Sequence, residues 1–389
     1  TNGGLDNNTN SGSIVGGTPQ DIILIKYNHS GVKQWTQQLG TSSEDIGYGV
    51  TTDSDNNIYV TGSTGGDLDN NTNSGMADIF LVKYNSSGTK QWTQLLGGSE
   101  RDFGFGVTAD SNNNIYVTGQ TGMEGNGDGL DNYTSSGGTD IFLVKYNSSG
   151  TKQWTQQLGT SFEEQGWGVT VDSSNNIYVT GETGGVLDGS SSGNQDIFLV
   201  KYNSSGTKQW TKQFGTSGQD YGKDVMVDNS SNIYVTGHVQ GGLFGETFYG
   251  DSDPFLVKYN SDGNKQWTQQ LGSDGQDEGW GVTVDSSNNI YMTGNSNPYG
   301  NVESHVVEFD GTTSPGGSDI FLVKYNSSGT KQWTKLLGTS TDDYGMEVTV
   351  DSSNNIYVTG FTNGGLDGKT NSGGNDIFLV KYNSDGVLQ

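Results

Sequence analysis

The chain has 389 residues, no cysteine, 18 basic and 44 acidic side chains and a formal net charge of −26, which excludes disulfides and cysteine nucleophiles and repels phosphate backbones and anionic lipid surfaces. Nucleic acid is therefore not an expected partner. Membrane insertion is not expected either, because no apolar run approaches the roughly 20 residues of a membrane helix and residues 1–30 carry no basic-then-apolar targeting pattern.

In chain order, residues 1–20 read as a loop, since Thr1-Asn-Gly-Gly-Leu-Asp6 matches Thr362-Asn-Gly-Gly-Leu-Asp367. Then comes Asp-Ile-Phe-Leu-Val-Lys-Tyr-Asn or a close variant, starting at Asp21, Asp78, Asp140, Asp196, Asp253, Asp319 and Asp376, a period of 56 to 66 residues. Each period continues through Lys-Gln-Trp-Thr (Trp35, Trp92, Trp154, Trp210, Trp267, Trp333), Gly-x-Gly-Val-Thr-Val-Asp and Asn-Ile-Tyr-Val-Thr-Gly, separated by Asn-Ser-Ser-Gly and Asp-Ser-Ser-Asn-Asn turn signals. Short runs of Val, Ile, Thr and aromatics between such turns predict four antiparallel strands per period, here lettered a (Gly-Val-Thr-Val-Asp), b (Asn-Ile-Tyr-Val-Thr-Gly), c (Asp-Ile-Phe-Leu-Val-Lys-Tyr) and d (Lys-Gln-Trp-Thr). Strand c is apolar on both faces, Ile79 and Leu81 on one and Phe80, Val82 and Tyr84 on the other, so a sheet must cover each side. Stacked propeller blades meet that demand, with glycine-rich strand a innermost.

Six copies of strand a, ending in Asp53, Asp110, Asp172, Asp228, Asp285 and Asp351, predict an all-β, six-bladed β-propeller of four-stranded antiparallel blades as one domain over 1–389. Strands c and d at 21–40 are expected to complete the sheet begun by a and b at 347–361, leaving one surplus strand c (Asp21–Asn28 or Asp376–Asn383) that is displaced or pairs with another molecule. A seven-bladed ring is the alternative, requiring further strands within 1–20.

The segments Gly137-Gly-Thr-Asp-Ile-Phe-Leu-Val-Lys-Tyr146, Gln38-Leu-Gly-Thr-Ser42 and Gly168-Val-Thr-Val-Asp-Ser-Ser-Asn-Asn-Ile-Tyr-Val-Thr-Gly181 resemble the bacterial β-propeller repeat called SBBP, and the resemblance runs over residues 21–389. Gly-Val-Thr-Val-Asp-Ser-Ser-Asn-Asn-Ile-Tyr is also similar to NHL repeats, which form six-bladed rings. The resemblance implies a secreted or cell-surface bacterial protein and brings no catalytic residue with it.

Length variation falls in the b–c loops, 63–77, 120–139, 182–195, 238–252, 295–318 and 361–375, which a meander places on the same end as the d–a connections. That end is where a ligand surface is expected. It also collects a carboxylate before each strand a, namely Asp45, Asp102, Glu164, Asp220, Asp277 and Asp343, open to two readings: hard-oxygen ligands for Ca²⁺ or Mg²⁺, or caps on backbone N–H groups or partners of the repeat lysines such as Lys83. Glu124, Asn126, Asp128 and Asp131 imitate the alternating ligands of a calcium loop without its closing glutamate, against the reading of a flexible Gly-rich loop. The Asp53-Ser-Asp55-Asn-Asn57 turn reads as an Asx turn.

After the glycine that opens each strand a stand Tyr48, Phe105, Trp167, Lys223, Trp280 and Met346. The aromatic members Tyr48, Phe105, Trp167 and Trp280 are candidates for stacking on sugar faces, or for plugging the axis or packing between blades. The strand-d tryptophans are expected to shield the outer blade edge. Three histidines at non-equivalent positions, His29, His238 and His305, give no triad or metal cluster; His305 lies with Glu303, Glu308 and Asp310 in the longest loop. The sequence thus points to a non-enzymatic extracellular binding or adhesion module that presents an acidic, loop-rich face to a glycan or cell-surface protein, with Ca²⁺ as its one candidate cofactor. The alternatives are a unit of a longer surface array that self-associates through the surplus strand and, third, a glycan-active enzyme.

Overall fold

The computed structural model describes residues 4–6, 8, 11, 20–122, 129–297, 308–313 and 316–389. Its strands are β1 (Ile22–Tyr27), β2 (Lys33–Leu39), β3 (Asp45–Thr52), β4 (Ile58–Thr64), β5 (Asp78–Tyr84), β6 (Lys90–Leu96), β7 (Phe103–Ala109), β8 (Ile115–Thr121), β9 (Asp140–Tyr146) and β10 (Lys152–Leu158). They continue with β11 (Glu164–Val171), β12 (Ile177–Thr183), β13 (Asp196–Tyr202), β14 (Lys208–Phe214), β15 (Asp220–Val227), β16 (Ile233–Val239), β17 (Asp253–Tyr259), β18 (Lys265–Gln270), β19 (Gln276–Val284) and β20 (Ile290–Asn297). The last are β21 (Glu308–Phe309), β22 (Thr312–Thr313), β23 (Asp319–Tyr325), β24 (Lys331–Leu337), β25 (Asp343–Val350), β26 (Ile356–Thr362) and β27 (Asp376–Tyr382).

The fold is an all-β, six-bladed β-propeller of antiparallel four-stranded sheets, its blades counted by the strands a: β3, β7, β11, β15, β19 and β25. Five sheets run a-b-c-d: β3-β4-β5-β6, β7-β8-β9-β10, β11-β12-β13-β14, β15-β16-β17-β18 and β19-β20-β23-β24. The sixth, β25-β26-β27, has three strands, and β1-β2 is a two-stranded sheet of its own. The expected completion of the 347–361 sheet by residues 21–40 is therefore corrected: β26 pairs along its length with β27, from Thr362↔Asp376 to Ile356↔Tyr382, so the carboxyl-terminal copy of strand c fills the third place. Residues 5 and 6 behave as the end of a b–c loop, with Leu5 N–H donating to Gln38 Oε1 at 3.1 Å and Asp6 paired with Lys33.

Two compact units divide the chain: Thr1–Val179 with Thr183–Gly185 and Tyr202–Lys208, and Thr180–Glu182 with Val186–Lys201 and Gln209–Gln389. Within the first, strand c splits its side chains as its pattern requires. Ile79 and Leu81 join Ile115, Val117 and Phe142 of the next blade, while Phe80, Val82 and Tyr84 join Ile22 and Ile58 on the other side. In the second, Ile320 and Leu322 likewise join Val348, Ile356 and Val358. Strand a packs on strand a, β3 on β7 and β7 on β11 in the first unit, β15 on β19 and β19 on β25 in the second.

Each strand-d tryptophan, half-buried on the outermost strand, also reaches the next blade. The rings of Trp92 and Trp267 lie where a β-carbon of Gly150 and Gly329 would stand, 3.0 and 2.9 Å away, and both glycines have φ of +82°. Only glycine combines that φ with that contact. The strand-c lysines cross to the same turns: Lys83 Nζ donates to Ser148 O at 3.0 Å and Lys258 Nζ to Ser327 O at 3.0 Å.

Candidate functional site

The six carboxylates ahead of strand a are fully buried, each inside its own turn. Asp45 accepts the Thr41 N–H and hydroxyl and the Thr64 hydroxyl. Asp102 accepts from Gly98 N–H and Thr121, and Glu164 from Thr160 and Thr183. Asp220, Asp277 and Asp343 repeat the pattern on Thr216, Ser273 and Thr339. Their oxygens are engaged as caps. Of the two partners read from the sequence, N–H groups take part and the repeat lysines do not, since Lys83 and its equivalents go to the neighbouring turn. Burial pushes Asp102 up to about 6, against its hydrogen bonds from Thr121 and Gly98.

Asp131 is likewise engaged: it pairs with Lys152 and accepts the Thr155 hydroxyl. Asp69 does the same with Lys90 and Thr93, and Asp310 with Lys331 and Thr334. All three take positive φ, near 54°. In the fourth blade Phe244 occupies this place with φ 54°, and Lys265 Nζ sits 3.9 Å from its ring centroid, a cation–π contact in place of the ion pair. This part of the b–c loop is thus a structural clasp onto strand d, with both Asp131 oxygens engaged in it. Glu124, Asn126 and Asp128, like Glu303 and His305, lie outside the described residues. Among the described residues no three His, Cys, Asp or Glu side chains stand together to hold a metal. Asp53 forms the Asx turn, accepting the Asp55 and Asn57 N–H groups and, on its other oxygen, the Tyr59 hydroxyl.

The mouth of strand a is where the blades differ. In the first unit Tyr48, Phe105 and Trp167 come together: Tyr48 meets Phe105 edge-on at 5.1 Å, and Phe105 stacks on Trp167 at 4.2 Å. Tyr48 remains 44% exposed. These rings pack on each other and leave an open aromatic rim.

Trp280 has different company in the second unit. Its indole N–H donates to Asn295 Oδ1 at 2.9 Å, and Lys223 Nζ lies 5.4 Å from its ring centroid and 4.9 Å from that of Tyr221. Lys223 pairs with Glu182 at 3.7 Å, the two side chains only 7% and 3% exposed. The His238 ring stands 4.7 Å from Tyr221 and 6.2 Å from Trp280. Burial and the Lys223 charge bring His238 down to about 3, so its imidazole is neutral, and its Nδ1 is buried without a hydrogen-bond partner among the described residues. Burial raises Glu278, opposed by Trp280, Lys223 and Asn295.

Glu182, Tyr221, His238, Glu278 and Asn295 escape the sequence reading. His238 is assigned there to a loop, whereas β16 runs to Val239. The available signal is register: the residue before the first glycine of strand a faces the residue after the glycine of strand b, as Ile46↔Ser63, Phe103↔Gln120, Tyr221↔His238, Glu278↔Asn295 and Tyr344↔Phe361. Both positions change from blade to blade while Tyr-Val-Thr-Gly beside them scarcely does, and Gly-Val-Thr gives way to Asp224-Val-Met and Glu347-Val-Thr in two blades.

The chain belongs to the SBBP β-propeller repeat family, whose model matches residues 34–69, 91–123, 153–188, 209–245, 266–298 and 332–367. It is similar to an uncharacterized WD repeat-containing protein, L264, of Acanthamoeba polyphaga mimivirus (27% identical, 88% of this chain and 31% of that protein). It is also similar to the regulatory protein FlaEY of Caulobacter vibrioides (25% identical, 93% of this chain and 42% of that protein). The chain thus spans well under half the length of both relatives. Among solved structures it resembles a protein of unknown function from Dyadobacter fermentans, with a TM-score of 0.50 at 12% identity over 87% of this chain and 94% of that one, a likeness of fold.

Proposed function

We propose that the protein is a non-enzymatic, extracellular binding module whose ligand, a glycan, is held at the mouths of the strands a. One observation carries this reading. Blades that repeat nearly the same sequence differ in their strands a and b chiefly at the side chains around the strand-a mouth, where blade packing places no common demand. The side chains there suit sugars: in the first unit an aromatic rim of Tyr48, Phe105 and Trp167 for C–H faces, and in the second the Trp280 ring with the Glu278 carboxylate for hydroxyls. Repetition around the blades favours multivalent contacts, each weak.

A glycan array spanning neutral, amino and acidic saccharides tests it. The reading expects binding that falls about tenfold or more in Trp280→Ala and Tyr48→Ala and persists in Ser87→Ala, whose side chain bonds Asn85 within the c–d turn. Binding that depends on Ser87 and not on the two aromatics would refute it.

A further inference from the structure

Lys223 is the odd member of its series. The equivalent positions hold Tyr48, Phe105, Trp167, Trp280 and Met346, so the blade itself does not call for a cation there. Its ammonium nevertheless has a complete setting: the ring faces of Tyr221 at 4.9 Å and Trp280 at 5.4 Å, and the Glu182 carboxylate at 3.7 Å. Glu278 adds a second carboxylate whose charge acts on it. The neutral His238 ring bonds the Gly279 backbone and keeps a buried Nδ1 without a hydrogen-bond partner among the described residues. Two π faces, two carboxylates and an unspent acceptor are what an organic ammonium requires.

We propose that Tyr221, Trp280, Glu182, Glu278 and His238 form an ammonium cage, that Lys223 is its tethered occupant, and that the ligand group which displaces Lys223 is the free amine of an amino sugar. This rests on the glycan reading above and narrows it to amine-bearing residues. The charges agree: the Glu182 carboxylate faces the ammonium and His238 is neutral, so once Lys223 leaves, the cage offers a uronate or a sulfated sugar no cation. When a ligand ammonium enters, the Lys223 side chain swings out and the ion pair with Glu182 passes to the ligand, with no change in charge count inside the cage.

Lys223→Met, the residue found at the equivalent position 346, removes the occupant and keeps an apolar stem. Titration with a glucosamine hexamer and an N-acetylglucosamine hexamer is expected to show K223M binding the free amine about tenfold tighter than wild type, and tighter than the acetylated form by a similar factor. Equal binding of the two hexamers by K223M overturns the cage while leaving the glycan reading intact. Failure of every saccharide overturns both the glycan reading and the amino-sugar assignment. Choline then reads the cage by itself: a higher melting temperature of K223M in choline chloride than in sodium chloride of equal ionic strength supports it, and no difference overturns it. In the wild type, should K223M fold poorly, reductive methylation read by mass spectrometry is expected to spare Lys223 in sodium chloride and label it in excess choline; labelling unchanged by choline overturns the cage.

Discussion

Asp78 Oδ1 occupies the space that a side chain on Gly97 would need: a β-carbon there would stand 2.2 Å away. The oxygen is buried and without a conventional hydrogen-bond partner among the described residues, so the glycine Cα–H is its neighbour. Gly159 against Asp140 and Gly338 against Asp319 repeat the contact at 1.8 and 1.7 Å. Asp102 Oδ2 stands 3.1 Å from the same point on Gly97, so one glycine separates two buried carboxylates.

Gly97→Ala is therefore expected to cost about 2–3 kcal/mol through forced backbone displacement, measured by urea unfolding. Gly245→Ala is the control. Its φ is +90° but nothing lies within 4 Å, so only the left-handed conformation costs, about 1 kcal/mol. Equal costs would show that the carboxylate contact does not constrain the turn.

The paired carboxylates give stability an unusual pH dependence. Burial raises Asp102 and Asp253 to about 6, and Asp45, Asp78, Glu164, Asp220 and Asp277 also lie above their ordinary values. A carboxyl whose folded value exceeds its unfolded value of 3.8 binds protons more tightly when folded. Stability withheld above about 6 thus returns as pH falls through the window from about 6 to 3.8. Asp53 and Asp351 act oppositely: burial raises them but hydrogen bonds from Asn57 and Asn355 outweigh it, so acid below the ordinary carboxylate range destabilises. The melting temperature is expected to rise from about pH 7.5 to about pH 4 and then fall, with a smaller rise in Asp102→Asn. A monotonic fall from neutral pH would contradict this.

Blade-to-blade cohesion depends on the strand-d tryptophans. Trp92→Ala and Trp267→Ala each empty the space against Gly150 or Gly329 and are expected to cost about 3 kcal/mol, similarly for the two because the contact is the same. Gln91→Ala, beside Trp92 but exposed with its amide on Thr89 O, is expected to change stability by less than about 0.5 kcal/mol.

Calcium is expected to do little through Asp131 or the strand-a carboxylates, which already accept Lys152, Thr155 and turn N–H donors. Melting curves in calcium and in chelator should coincide within about 1 °C, since a ligand that binds neither state shifts nothing. A calcium-dependent rise abolished by Asp131→Asn would show the Lys152 pair giving way to a metal.

Much of the blade was legible in the sequence because its determinants are local and repeated. Alternation along Asp78–Tyr84 assigns Ile79 and Leu81 to one face and Phe80 and Val82 to the other, and hydrogen-bonded turns such as Asp53–Asn57 close over four residues. What the sequence hid joins distant positions. Asp69 and Lys90 are 21 residues apart, Lys83 and its carbonyl partner Ser148 65 apart, so each looks like an uncommitted charge. The Lys223 setting draws on Glu182, Tyr221, His238 and Trp280, side chains from different blades, and becomes visible only once register places them at one end of their strands. The pairing of β26 with β27 was open because β1 carries nearly the same sequence.

The most direct test of the strand-a mouth as the ligand surface is a hydrogen-exchange footprint with a saturating oligosaccharide drawn from the array. Protection concentrated at 46–48, 103–105, 221–223 and 278–280 is the predicted result. Protection at the c–d turns 85–88, 147–150 and 326–329, with the strand-a mouths unchanged, would contradict it.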